Sequence, residues 1–193
     1  MQRLVLPLPG NEIFATRLAS QCNSELGRVE TRRFPDGESY VRLHGNPSGR
    51  PVDLVCTLSQ PDPQFLSLIF AAETARDLGA SEVNLIAPYL AYMRQDKRFH
   101  EGECVTSLSF AKLISGVFDS MVTIDPHLHR HPQLSGLYTI PTATLHAAPL
   151  LADWIAENIQ DPLIIGPDEE SEQWAGAIAK RIGAPHKVLH KTR

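Results

Sequence analysis

Between Pro88 and Arg98 the chain reads Pro-Tyr-Leu-Ala-Tyr-Met-Arg-Gln-Asp-Lys-Arg. Its last five positions hold two arginines, a lysine, an amide and a carboxylate. A nucleotide asks for such a mixture. Guanidinium groups meet phosphates bidentately, while amide and carboxylate groups meet ring nitrogens and hydroxyls. A solvated charged loop is the plainer account of the same residues. On the first account Arg94 and Arg98 take the phosphates, and Gln95 and Asp96 take the nucleoside.

Three further blocks could do chemistry. Phe34-Pro35-Asp36-Gly37-Glu38 sets an aromatic face and two carboxylates around a turn. Adenine can stack on such a ring while the acids accept its amino hydrogens; Asp-Gly is also a common turn on its own. Asp125-Pro126-His127-Leu128-His129-Arg130-His131 places histidine at every second position. On an extended backbone those imidazoles share one face. Carboxylate with imidazole can hold a divalent ion, and nucleotide phosphates favour magnesium. Two other accounts stand beside that one: a polar loop with ordinary hydrogen bonds, and a zinc site of a metal-dependent hydrolase, which lacks a convincing set of further ligands. Gly166-Pro167-Asp168-Glu169-Glu170-Ser171 reads as a strand-to-helix turn, with Asp168 placed as an N-cap and the glutamates at the positive helix end.

In this order and at these separations, Phe-Pro-Asp-Gly-Glu, Tyr-x-Arg-Gln-Asp and Asp-x-His resemble the ribose-phosphate pyrophosphokinase (phosphoribosyl diphosphate synthase) family, across essentially the whole chain. The resemblance implies magnesium-dependent transfer of the diphosphoryl group of ATP to the anomeric hydroxyl of ribose 5-phosphate, giving phosphoribosyl diphosphate and AMP. It implies that Phe34, Asp36, Gly37 and Glu38 reach the adenine of a neighbouring subunit's site, so the expected state is a homo-oligomer with shared sites. ATP would further meet Arg94, Gln95, Asp96 and Arg98. His127 and Asp168 would hold Mg2+, and Lys191 would offset charge on the transferring group. His129 and His131 depart from the family pattern and inherit no role. Glu169-Glu170-Ser171 stands where the family has glycines, adding charge and side chains beside an anionic sugar phosphate. The family's acidic run and Thr-Gly-Gly-Thr loop, which grip ribose 5-phosphate, are absent from residues 1–193. The expectation is therefore nucleotide binding with little or no turnover by this chain alone. Its alternative is a non-catalytic, synthase-associated regulatory subunit that binds nucleotide and catalytic protomers.

The elements that must position these blocks alternate. Strands are predicted at Arg3–Leu8, Val29–Phe34, Ser39–Leu43, Val52–Leu58, Val83–Ala87, Ser120–Ile124, Tyr138–Thr142, Leu163–Gly166 and Lys187–Leu189. Helices are predicted at Asn11–Cys22, Gln64–Leu78 (Phe65, Leu68, Ile69, Ala72 and Ala75 inward), Leu108–Val117 (Phe110, Leu113, Ile114 and Val117 inward), around Leu150–Ile155, and at Glu169–Ile182. Alternation at this spacing argues an α/β fold: a parallel sheet flanked by helices, with ligands beyond the carboxyl ends of the strands. By the resemblance this is a phosphoribosyltransferase-like N-terminal ATP-binding domain over 1–145, with the start of a second similar domain over 146–193. One αβα stretch and a strand cannot cover both faces of a sheet. Either the chain is a fragment or its end leans on another subunit.

Composition bounds the partners. The 193 residues are 42% hydrophobic and 21% charged, with net charge −4. No basic field argues for nucleic acid; the cations cluster locally, at Arg32–Arg33 and Arg94–Arg98, which suits a small anion. No apolar run approaches a membrane span, and no signal-peptide pattern opens the chain. Cys22, Cys56 and Cys104 are too few and too scattered for a disulfide framework, so a reducing cytoplasm is the expected compartment.

Overall fold

The computed structural model describes residues 2–128 and 130–190. It divides into two compact units, 1–145 and 146–193.

The central parallel strands of the first unit are mostly apolar and buried, as strands covered on both faces must be, while its edge strands are half or fully exposed. Its elements are β1 (Leu4–Pro7), α1 (Glu12–Gln21), β2 (Glu25–Leu26), β3 (Arg28–Arg33), β4 (Ser39–His44), β5 (Pro51–Val55), α2 (Pro61–Asp77), β6 (Glu82–Ala87), α3 (Thr106–Ser115), β7 (Ser120–Ile124) and β8 (Thr142–Leu145). Among the described residues, six strands form the sheet in the order β2-β1-β5-β6-β7-β8, all parallel.

Successive strand residues point to opposite faces, and this splits the core in two. Leu4, Leu6, Val52, Leu54, Val83 and Leu85 meet α2 and α3 through Leu68, Ala71, Ala72, Ala75, Phe110 and Ile114. Val5 and Val55 meet α1 through Ala15 and Ala19. Small residues on the helices allow close approach to the sheet.

The antiparallel hairpin β3–β4 stands apart from the parallel sheet. Its turn needs Gly37 at φ +92°, open to glycine without steric cost. The chain enters it from β2 through Gly27, where an added Cβ would lie 2.5 Å from the His44 carbonyl oxygen.

The second unit comprises α4 (Ala148–Asn158), β9 (Ile164–Gly166), a 3-10 turn over Glu169–Ser171, α5 (Glu172–Ile182) and β10 (His186–Val188). β9 and β10 pair in parallel. Ala148, Ala152 and Ile178 form a small core with Ile155, Ile164 and Ile182. Leu150, Leu151, Trp154 and Ile165 remain exposed.

Four expectations are corrected. The strand predicted at Tyr138–Thr142 begins only at Thr142; Tyr138 instead follows a 3-10 turn at Leu134–Gly136 and is buried. Leu113 faces outward, because the buried stripe of α3 runs through Ser107, Phe110, Ala111 and Ile114. Helix α2 starts three residues early, with proline accepted in its first turn, where amides have no intrahelical partner. The helix predicted from Glu169 opens as a 3-10 turn capped by Asp168.

Candidate functional site

The segment between β6 and α3 has no regular structure, so buried anchors set its course. Leu90, Ala91 and Met93 are buried. Between them Tyr92 adopts φ +58°, a conformation unfavourable for a bulky residue. Its ring packs 4.8 Å from that of Phe110, and its hydroxyl donates to Asp62 at the start of α2. That pair of contacts holds the left-handed turn, which sends Met93 inward and Arg94 outward.

Arg94 and Gln95 thereby reach a cavity of about 480 Å³, lined also by Ser59, Pro61, Tyr89 and Thr106. It lies at the carboxyl ends of β5 and β6, where ligands of open parallel sheets bind. Pro61 and Thr106 are the first residues of α2 and α3. Both helix N-termini thus face the cavity and add partial positive charge beside Arg94. The Gln95 carbonyl accepts from the Ser107 amide, 3.3 Å, which seats the loop on α3.

The other predicted residues of the loop are engaged locally. Asp96 is turned to Arg130, whose Nη1 donates to both carboxylate oxygens at 2.7 and 2.9 Å. The nucleoside expected for Asp96 would have to share that carboxylate. Arg98 donates through Nε to the Glu103 carbonyl, 3.0 Å. The Glu103 carboxylate accepts from His100 Nδ1 and from the amides of Phe99 and His100. Those bonds, the His100 side chain first, hold its pKa below the ordinary carboxylate value.

Phe34, Asp36, Gly37 and Glu38 occupy the hairpin tip, all exposed. The Phe34 ring lies 4.6 Å under the Arg32 guanidinium and meets Tyr40 edge-on. Asp36 accepts from the Glu38 amide. Arg33 spans from the Gly37 carbonyl to that of Pro63, each at 2.9 Å, tying the tip to the first turn of α2. The hairpin residues do not line the cavity, but the helix that anchors them does.

Asp125 and His127 follow β7, the neighbour of β6. Asp125 takes φ +41°, and Pro126, His127 and Leu128 after it belong to no strand. His129 and Lys191 lie outside the described residues. In the second unit, Asp168 accepts from the Ser171 amide and its own amide donates to Ser171 Oγ, a reciprocal cap. Glu169 pairs with His190 at 3.1 Å.

Among the described residues no three His, Cys, Asp or Glu side chains gather into a chelating group.

Tyr89, Thr106 and Arg130 were given no role from the sequence. They come from the loop after β6, the start of α3 and the loop after β7, and no local spacing signals that Tyr89 and Thr106 share the cavity with Arg94 or that Arg130 meets Asp96.

A family model described as the N-terminal domain of ribose phosphate pyrophosphokinase matches residues 4–117. The ribose-phosphate pyrophosphokinase of Methanobrevibacter smithii is 34% identical over 181 residues, 93% of this chain and 60% of that protein. That of Methanopyrus kandleri is 37% identical over 180 residues, 92% of this chain and 60% of the relative. The chain therefore spans about 60% of the length of these relatives. The crystal structure of phosphoribosylpyrophosphate synthetase from Mycobacterium smegmatis shares the fold, with a TM-score of 0.83 at 22% identity, over 100% of this chain and 65% of that one.

Proposed function

The chain belongs to the ribose phosphate pyrophosphokinase family, and from that premise we propose that it binds ATP for diphosphoryl transfer to ribose 5-phosphate. The observation that carries the reading is the cavity at the sheet's carboxyl edge, where exposed Arg94 and two helix N-termini converge. A polyphosphate meets a guanidinium and two positive helix ends there. Gln95 offers both a donor and an acceptor to the nucleoside.

The products are phosphoribosyl diphosphate and AMP. The anomeric hydroxyl attacks the β-phosphorus in line, and such transfer rests on positioning and charge neutralisation. Arg94 and Arg98 hold phosphate oxygens. The hairpin tip, with Phe34, Asp36, Gly37 and Glu38, takes adenine in a site shared between subunits of a homo-oligomer. By the family resemblance His127 and Asp168 would each serve as a Mg2+ ligand, and the ion would supply charge that neutralises the phosphates. Lys191 offsets charge on the moving group. The setting is a cytoplasm; among the described residues no helix is long and apolar enough to cross a membrane.

The second reading, a synthase-associated subunit that binds nucleotide without turnover, draws on the Asp168 turn. Ser171 Oγ fills the space beside Gly166, where an added Cβ would lie 2.4 Å from it. The turn is thus occupied by its own side chains where a sugar phosphate would approach the backbone.

Calorimetry of the 193-residue chain with magnesium and ATP, with and without ribose 5-phosphate, tests both. ATP binding is expected, and Arg94→Ala should weaken it by about 10–100-fold, the loss of one charge-assisted contact. No ATP binding by the unmodified chain would overturn the reading. ATP binding without ribose 5-phosphate binding supports the associated subunit; AMP release at the rate of a full-length relative excludes it.

A further inference from the structure

The loops that leave two neighbouring parallel strands, β6 and β7, are joined by an ion pair. The Asp96 side chain is only 4% exposed, against 47% for Arg130, and the guanidinium Nη1 is within hydrogen-bond distance of both its oxygens. Asp96 comes two residues after Arg94, and Arg130 three residues after His127. The same guanidinium lies 5.9 Å from the Phe99 ring, and the Lys97 ammonium 5.0 Å from that ring. Arg130 therefore meets this loop at two points, Asp96 and Phe99, just beyond Arg94 and Gln95, which line the cavity.

We propose that Arg130 is a positioning residue: by neutralising Asp96 and fixing the Arg94–Phe99 loop, it makes that loop receptive to a polyanion. The inference rests on the nucleotide reading above.

Two physical arguments carry it. A carboxylate so nearly buried is costly unless a cation compensates it. And a loop without regular structure keeps its shape only through such contacts. Removing Arg130 takes a positive charge from Asp96 and leaves the loop one unit more negative. The freed carboxylate then draws on Arg94 and repels a triphosphate, interactions that weaken phosphates far more than a neutral nucleoside.

The test uses the 193-residue chain with Arg130→Met, Arg130→Lys, Asp96→Asn and the double variant Asp96→Asn/Arg130→Met. Calorimetry measures binding of magnesium-ATP and of adenosine, and hydrogen exchange without ligand reads residues 94–105. Arg130→Met is expected to weaken ATP about tenfold or more, to weaken adenosine much less, and to speed exchange in the loop. Arg130→Lys should retain more ATP affinity than Arg130→Met, and on the Asp96→Asn background Arg130→Met should cost ATP much less than it does in the unmodified chain. Equal losses for ATP and adenosine, with the same cost of Arg130→Met on both backgrounds, would reduce Arg130 to a structural support and overturn the proposal. Unchanged ATP affinity in Arg130→Met would overturn it as well. If the unmodified chain binds no ATP, the nucleotide reading falls and the claim of receptivity with it. The exchange data then judge the positioning role separately, and unchanged exchange in Arg130→Met ends that too.

Discussion

Asn84 donates through Nδ2 to Asp53 Oδ1 at 3.1 Å, and the two residues are also register partners of β6 and β5. The polar row continues on both sides. Ser120 Oγ donates to Asn84 Oδ1 at 2.7 Å from the register position on β7, and Arg3 Nη1 reaches Asp53 at 2.7 Å. A slip of one residue in any strand would turn these polar groups to the opposite face and break the row.

Asp53→Ala should therefore lower stability by about 1–3 kcal/mol, because Asn84 is buried and loses an acceptor. Arg3 is partly exposed and recovers water. Asp53→Asn, which keeps an oxygen acceptor, should cost less. Urea unfolding midpoints check this; equal midpoints for the alanine variant and the parent would refute it.

Two adjacent residues of α3 should behave in opposite ways. Ile114 is fully buried in the main core, and Ile114→Ala should cost about 2–5 kcal/mol. Leu113 is 54% exposed, and Leu113→Ala should stay within about 0.5 kcal/mol. Thermal unfolding of the two variants side by side measures the difference.

The three thiols should label in two classes. Cys22 and Cys104 are exposed, whereas Cys56 is buried and burial pushes its thiol up to about 12. At neutral pH, the thiolate being the reactive form, an aromatic disulfide reagent should titrate two cysteines in the native chain and a third only on unfolding. Three equally fast thiols would contradict the packing of Cys56.

Glu103 provides an acid-side signature. Its carboxylate is stabilised by His100 and by two backbone amides, so the folded value lies below 4.5. A group depressed on folding contributes stability above its unfolded value and loses it as pH falls through the lower folded value. The 98–104 loop should thus keep its bonds at neutral pH and loosen only in acid below the ordinary carboxylate range. An NMR titration of the Glu103 side chain should show a midpoint under 4.5; a midpoint at or above that value would sink the assignment.

Much of this was open to reading along the chain. The strands of the first unit announce themselves as short apolar runs, because a sheet covered on both faces tolerates little else. The hairpin was marked by Pro35-Asp36-Gly37, since only a turn uses that combination so readily. The cation-rich run at Arg94 stood out because solvation does not call for its mixture of groups. Helix faces were less legible. In α3 the small residues Ser107 and Ala111 belong to the buried stripe, and hydrophobicity alone nominated Leu113 instead.

Residue order determined which segments become strands and helices and which short blocks carry chemical groups, because these depend on neighbours a few positions away. Only the tertiary structure decided that Arg130 holds Asp96, that Tyr92 leans on Asp62 and Phe110, and that Pro61 and Thr106 share a cavity with Arg94. Those partners are joined by the order of strands in the sheet, which brings the loops after β5, β6 and β7 together. Local periodicity says nothing about that order, since it is set by how all the apolar faces are buried at once.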